Sequence, residues 1–88
     1  MHPEVKEPRT YFIDDVAPTL KQLQDMVFGY IEVVHCKDTQ IVINEEGKLL
    51  GLSPNLKATE VWLGKDKTKW HDVIAGNAVV LTGSARIK

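Results

Sequence analysis

Two segments rich in β-branched residues, separated by only two positions, constrain the fold of this chain more than any other feature. Residues 30–36 and 39–43 both have the composition of strands, and Ile31 and Val33 fall on one face of the first strand by the two-residue alternation. The intervening residues 37–38 leave room for a tight connection only. The sequence therefore predicts an antiparallel β-hairpin near the middle of the chain.

A capped helix is expected immediately before this hairpin. Thr19 is followed three residues later by Gln22, the capping-box pattern in which each side chain satisfies a backbone N–H of the first helical turn. Apolar residues then recur at helical spacing, with polar residues on the opposite face. We predict an amphipathic helix over residues 19–28, ended by Gly29 in a left-handed conformation.

The segment that follows the hairpin is expected to turn and re-enter the core. Residues 44–48 have the composition of a polar turn, in which Gly47 is expected to have a positive φ. Leu49 and Leu50 are expected to be buried because they are the next apolar residues along the chain.

A second helix and a last strand complete the order of elements. Ser53 before Pro54 matches an N-cap followed by a first helical residue, which predicts a helix through about Leu63. Residues 78–82 have the composition of a buried strand, and residues 11–13 are a short strand at the start. The predicted fold is α+β with the order β-α-β-β-α-β and an antiparallel or mixed sheet. Two helices on one face are expected, either on the ferredoxin-like plan or on a partly rolled sheet.

Composition limits the class of protein. With 88 residues, of which 43% are hydrophobic and 26% charged, the chain is expected to form one domain over residues 11–82. Residues 1–10 are interpreted as a flexible lead-in and residues 83–88 as a short tail. Cys36 is the single cysteine, so an internal disulfide is excluded and a reducing, cytoplasmic compartment is favoured.

Charge and motif content argue against several functions. A net charge of −1 makes a nucleic-acid partner unlikely by comparison with basic nucleic-acid-binding domains, and the basic run at residues 65–69 is interpreted as a solvated loop. No apolar run is long enough for a membrane span. No metal or cofactor is expected, because ligand spacings and phosphate-binding glycine motifs are missing from the sequence.

Several short segments, in a fixed order, carry a family resemblance. They are GYIEVV at residues 29–34, NEEGK at 44–48, LSPN at 52–55, AT at 58–59 and DVIAGNA at 72–78. In this combination the chain resembles the domain-of-unknown-function family 3846 over residues 11–82. That family occurs in bacteriophages, plasmids and bacteria, so the resemblance implies a small accessory protein of a mobile element. Phe28 stands where a second glycine is common in that family.

One polar stretch is the best candidate for a ligand site. Between residues 44 and 55 the chain combines amide side chains, carboxylates and a lysine with the expected N-terminus of a helix, which would suit a small polar ligand. Tyr30 and Glu32 would lie beside it on one face of the hairpin. The candidate ligand-binding residues are Asn44, Glu45, Glu46, Lys48, Asn55, Thr59, Tyr30 and Glu32, and no catalytic residue is assigned.

The sequence favours a non-catalytic binding module over an enzyme. We expect a phage or mobile-element protein that acts in the host cytoplasm, where it binds a host protein or sequesters a small ligand such as a nucleotide, as in counter-defence. One alternative is a small enzyme acting on a nucleotide with Glu45 or Glu46 as base. Another is a nucleic-acid-associated regulator that uses residues 65–69. An unpaired edge strand would also allow pairing with a second copy of the chain.

Overall fold

A computed structural model of the chain describes residues 8–65 and 73–87. The α+β class and the predicted order of elements are confirmed. In chain order the elements are β1 (Thr10–Ile13), α1 (Leu20–Val27), β2 (Ile31–Cys36), β3 (Thr39–Asn44), α2 (Leu56–Lys65) and β4 (Ala78–Leu81), with a short 3₁₀ helix at Gly83–Ala85. In the part of the chain that is described, no helix is both long and apolar enough to cross a membrane.

The strands form one mixed sheet in the order β1-β4-β3-β2. The predicted hairpin is present, with Cys36 opposite Thr39 at its closed end and Ile31 opposite Asn44 at its open end. β4 is antiparallel to β3, whereas β1 is parallel to β4. Among the described strands, β2 therefore lies at the edge of the sheet and pairs with β3 alone.

The two helices pack against opposite faces of this sheet, which corrects the expectation that they share one face. Leu23 and Val27 of α1 belong to the same buried cluster as Val42. Trp62 of α2 packs in a second cluster with Ile41. Ile41 and Val42 are consecutive in β3, so they point to opposite faces. β3 and β4 are apolar and buried on both faces, and such a sheet needs cover on both sides. The ferredoxin-like plan therefore does not describe this fold.

The start of α1 is as predicted, and its end is not. Thr19 Oγ1 accepts a hydrogen bond from the Gln22 backbone N–H (3.1 Å), and the Gln22 side chain accepts one from the Thr19 backbone N–H (2.9 Å). The left-handed residue at the other end is Phe28, with φ 65°, rather than Gly29. Gly29 is required for a different reason, because a Cβ there would lie 2.9 Å from Asn44 Nδ2.

The turn after β3 also differs from expectation. Gly47 is absent from the described residues with positive φ, and a Cβ on it would lie 2.8 Å from the Ala75 carbonyl oxygen. Close approach of two backbone segments, rather than dihedral freedom, therefore requires glycine at this position. Leu49 and Leu50 are 86% and 60% exposed, so they do not enter the core.

α2 begins later than predicted. Its N-cap is Asn55 rather than Ser53, since Asn55 Oδ1 accepts a hydrogen bond from the Ala58 backbone N–H at 2.9 Å. Pro54 instead forms an isolated bridge with Ala75. The buried side of α2 is formed by Ala58 and Trp62, not by an alignment of leucines.

The C-terminal segment is tied to the sheet by one side chain. Gln40 Nε2 donates to the Ile87 carbonyl oxygen (2.8 Å), and Gln40 Oε1 accepts from the Ile87 backbone N–H (2.6 Å). These two bonds have the donor and acceptor pattern of a pair of strand residues, with the Gln40 side-chain amide in place of one main-chain segment.

Candidate functional site

A partly open cleft of about 400 Å³ lies where the open end of the hairpin meets α2. Its floor is apolar and includes Ile43, Trp62 and Ile74. Its rim carries charged side chains from β2 and from the turn after β3. We call this feature the β2 cleft, because Glu32, Val33 and Val34 of the edge strand form one of its walls.

Three of the candidate ligand-binding residues present exposed charged side chains at the β2 cleft. They are Glu32, Glu45 and Lys48. Glu32 reaches it because even-numbered residues of β2 point to the α2 face, opposite Ile43 of β3. The other two reach it because the turn continues directly from β3 past the open end of the hairpin. A mixed-charge rim over an apolar floor is the usual composition of a small-ligand site.

Asn44 also lines this cleft, but its side chain has a structural role. It is 4% exposed, and its Nδ2 donates to the carbonyl oxygens of Val27 (3.1 Å) and Phe28 (3.3 Å). Its Oδ1 accepts from the Glu46 backbone N–H at 2.8 Å. Asn44 therefore satisfies backbone groups at the end of α1 and shapes the turn at the same time.

Asn55 and Thr59 lie outside the β2 cleft, at the start of α2. Asn55 is 1% exposed; its Nδ2 donates to the carbonyl oxygens of Gly76 (2.9 Å) and Arg9 (3.3 Å). The Thr59 hydroxyl donates to the Asn55 carbonyl oxygen (2.7 Å) and accepts from the Ile74 backbone N–H (3.0 Å). Both side chains hold three chain segments together, and neither presents a free polar atom to a ligand.

The remaining two candidates are exposed but do not line the β2 cleft. Glu46 points into solvent beside the turn. Tyr30 is 70% exposed and lines a separate shallow hollow with Phe28, at the end of α1. The structure thus divides the eight candidates into a cleft group, a buried group and a peripheral group.

Two components of the cleft wall were not assigned to the site from the sequence. Trp62 is 8% exposed and contributes to the cleft floor. Val33 lines the β2 cleft although its side chain packs on the α1 side of the sheet, so its main chain supplies the contact. No local sequence signal identifies a backbone contribution of this kind, since it depends on strand order.

Glu45 and Glu46 are the two residues considered from the sequence as a catalytic base, and of these two Glu45 lines the β2 cleft. Both side chains are exposed, whereas paired carboxylates in acid–base chemistry depend on contrasting environments. Within residues 8–65 and 73–87, no three His, Cys, Asp or Glu side chains group so as to hold a metal ion. Most of the basic run at residues 65–69 lies outside the described residues.

These features define a small α+β domain with a mixed four-stranded sheet, a helix on each face and an open cleft beside one edge strand. The chain belongs to the family described as Domain of unknown function (DUF3846), whose profile matches residues 1–86. Comparison with curated proteins and with solved structures gave no match.

Proposed function

We propose that this domain is a non-catalytic binding module whose β2 cleft receives a polar, hydrogen-bond-donating group of its ligand. The observation that carries the proposal is the contrast within one cleft. An apolar floor built on Ile43 and Trp62 lies under a rim that includes the carboxylates of Glu32 and Glu45. Such a cleft can bury an apolar part of a ligand while its rim fixes a polar end.

The two rim carboxylates are available for binding. Among the described residues, neither Glu32 nor Glu45 has a hydrogen bond or ion pair through its side chain. The buried asparagines, by contrast, are fully used by the fold. Lys48 also lines the β2 cleft and has an interaction of its own, whereas the oxygens of both carboxylates accept no hydrogen bond from the described residues. A ligand with donor groups, and with positive charge above all, complements this rim.

The biological role that we propose follows from the family and from the size of the domain. The chain belongs to the DUF3846 family. The resemblance described from the sequence implies phage, plasmid and bacterial members, and a small domain of such a family suits an accessory role in a mobile element. In the host cytoplasm it would act by binding a host protein or by sequestering a small ligand such as a nucleotide, as counter-defence proteins do. The exposed acceptor rim supports a protein partner over an anionic nucleotide, because carboxylates repel phosphates.

The test compares two conservative variants. Glu32→Gln removes one rim charge at constant shape, and Glu46→Gln removes a neighbouring exposed charge outside the β2 cleft. The probes are a display library of short random peptides, a panel of polyamines and free basic amino acids, and common nucleotides. We expect at least one probe to bind, with about fivefold weaker affinity for Glu32→Gln and an unchanged affinity for Glu46→Gln. No binding by any probe, or equal effects of the two variants, would refute the cleft as the site.

A further inference from the structure

Within residues 8–65 and 73–87, the outer edge of β2 has a regular row of main-chain groups without a hydrogen-bond partner. The Glu45 backbone N–H donates to the Tyr30 carbonyl oxygen at 2.9 Å, so these two residues are a hydrogen-bonded pair in the register of the hairpin. Hydrogen-bonded and non-bonded pairs alternate along an antiparallel ladder. The N–H and C=O groups of Ile31, Val33 and His35 therefore point away from β3, toward the open edge.

The neighbouring strands support this alternation independently. The Ala78 and Thr82 backbone N–H groups donate to the Arg9 and Ile13 carbonyl oxygens, so the main-chain N–H and C=O groups of even-numbered residues in and next to β4 point toward β1. The main-chain groups of odd-numbered residues of β4 therefore point toward β3, where their partners are even-numbered residues. The main-chain groups of odd-numbered residues of β3 consequently point toward β2, in agreement with the register of the hairpin. Among the described residues, no hydrogen bond reaches the outward groups of β2.

The β2 cleft opens along this same edge. Glu32 and Val34 line it with side chains on the α2 face, and Val33 lines it with main chain. A row of free backbone donors and acceptors beside a side-chain cleft is the arrangement that binds an added strand. The main-chain bonds supply affinity, and the cleft selects alternate side chains of that strand.

We propose that the ligand of the β2 cleft is an extended peptide segment that pairs with β2 as a fifth strand and places a positively charged side chain in the cleft. This inference rests on the proposed function and names its partner class. A peptide residue hydrogen-bonded to Val33 shares the face of Val33, so its two neighbours point to the α2 face. One of them lies opposite Glu32, at the rim that Glu45 also lines, and these carboxylates favour lysine or arginine at that position.

The charge of the rim distinguishes this occupant from a second copy of the chain. In an antiparallel pairing of β2 with itself centred on Val33, the residue before Val33 in one strand lies opposite the residue after Val33 in the other. Glu32 would therefore lie opposite Val34 of the second copy. The carboxylate would then meet an apolar side chain and remain without a partner. A peptide with a basic residue satisfies both the backbone groups and the carboxylates.

The experiment uses peptides selected from a library of short random sequences on the full chain. Val33→Pro removes one outward N–H and no bond to β3, and proline is tolerated on a strand edge that faces solvent. We expect selected peptides to be enriched in lysine or arginine at one position. We expect them to bind Val33→Pro about tenfold more weakly than the wild type, with the circular dichroism spectrum unchanged.

A second measurement leaves the protein untouched. N-methylation of alternate backbone positions of a selected peptide is expected to abolish binding for one parity and to preserve it for the other, since only one set of N–H groups faces β2. If Glu32→Gln weakens binding while Val33→Pro and both methylation series have no effect, strand addition is overturned and the cleft remains a ligand site. If no peptide is selected, or if the free chain dimerises and Val33→Pro makes it monomeric, the peptide proposal fails.

Discussion

Two polar regions of this molecule differ in whether their hydrogen-bonding groups have partners within the fold. The first consists of three asparagines that tie loops to the sheet, Asn44, Asn55 and Asn77, and we call it the asparagine scaffold. The second is the open edge of β2 with the rim carboxylates of Glu32 and Glu45. In the scaffold the side-chain amides donate to backbone carbonyls of distant segments, for example Asn77 Nδ2 to the Met26 carbonyl oxygen at 2.9 Å. At the edge, backbone and carboxylate groups have no bond within the described residues.

This contrast indicates where function can reside in a small domain. An amide offers two donors and two acceptor lone pairs, so one buried asparagine can satisfy several backbone groups that no strand or helix reaches. In the described part of the chain, no buried side-chain polar atom lacks a partner. The capacity to bind a ligand is therefore concentrated at exposed positions.

The largest effect is expected from removing the central scaffold side chain. Asn55→Ala eliminates bonds to the Arg9 and Gly76 carbonyl oxygens, the Thr10 hydroxyl and the Ala58 backbone N–H. We expect a loss of about 3 kcal/mol in the free energy of unfolding, because buried backbone groups lose their partners and α2 loses its N-cap. Urea denaturation followed by circular dichroism measures it.

The matched control is Glu46→Ala, which removes an exposed side chain from the turn after β3. It is expected to change the free energy of unfolding by less than about 0.5 kcal/mol. Equal stability of the two variants would show that Asn55 does not have the structural role assigned to it.

A smaller loss is expected where two backbone segments approach closely. In Gly47→Ala the new Cβ would lie 2.8 Å from the Ala75 carbonyl oxygen, and the backbone would have to shift. We expect a destabilisation of about 2 kcal/mol. Gly64→Ala is the control, because nothing lies within 4 Å of a Cβ there and the residue is in α2. A helical alanine should be neutral or stabilising by up to about 1 kcal/mol, so thermal melts of the two variants should shift differently.

The smallest effect is expected at the turn between α1 and β2, where one substitution should raise the free energy of unfolding instead of lowering it. Phe28 is left-handed, with φ 65°, and is 77% exposed, so Phe28→Gly should relieve backbone strain while removing little buried surface. We expect a gain of about 1 kcal/mol in the free energy of unfolding. Gly29→Ala, one residue later, should lose stability because its Cβ would crowd Asn44 Nδ2. A gain for Gly29→Ala and a loss for Phe28→Gly would contradict this description of the turn.

Local sequence signals predicted the elements well and their arrangement in space less well. The Thr19 capping box and the hairpin depend on residues close in sequence, so their pattern is visible without tertiary information. The placement of the helices on opposite faces depends on strand order, which links β1 to β4 across most of the chain. Hydrophobic periodicity within one element does not report strand order, so the sequence analysis wrongly placed both helices on one face of the sheet.

The candidate site was predicted at the level of the segment and not of the individual side chain. The turn after β3 does border the cleft, and Glu45 and Lys48 line it as exposed residues. Asn55 and Thr59 have the same hydrogen-bonding groups as ligand-binding residues, and only their burial shows that backbone atoms already use them. The contribution of Val33 depends on its position at the sheet edge, which the sequence of β2 does not encode.

Amide hydrogen exchange of the free, unmodified chain tests the contrast between scaffold and edge most directly. Adjacent residues of β2 provide an internal comparison, since the Val34 N–H is bonded to β3 and the Val33 N–H faces outward. We expect slow exchange at Val34 and at the Ile74 amide, which donates to the Thr59 hydroxyl, and fast exchange at Ile31, Val33 and His35. Exchange at Val33 as slow as at Val34 in the monomer would contradict this expectation, because the edge of β2 would then already be occupied.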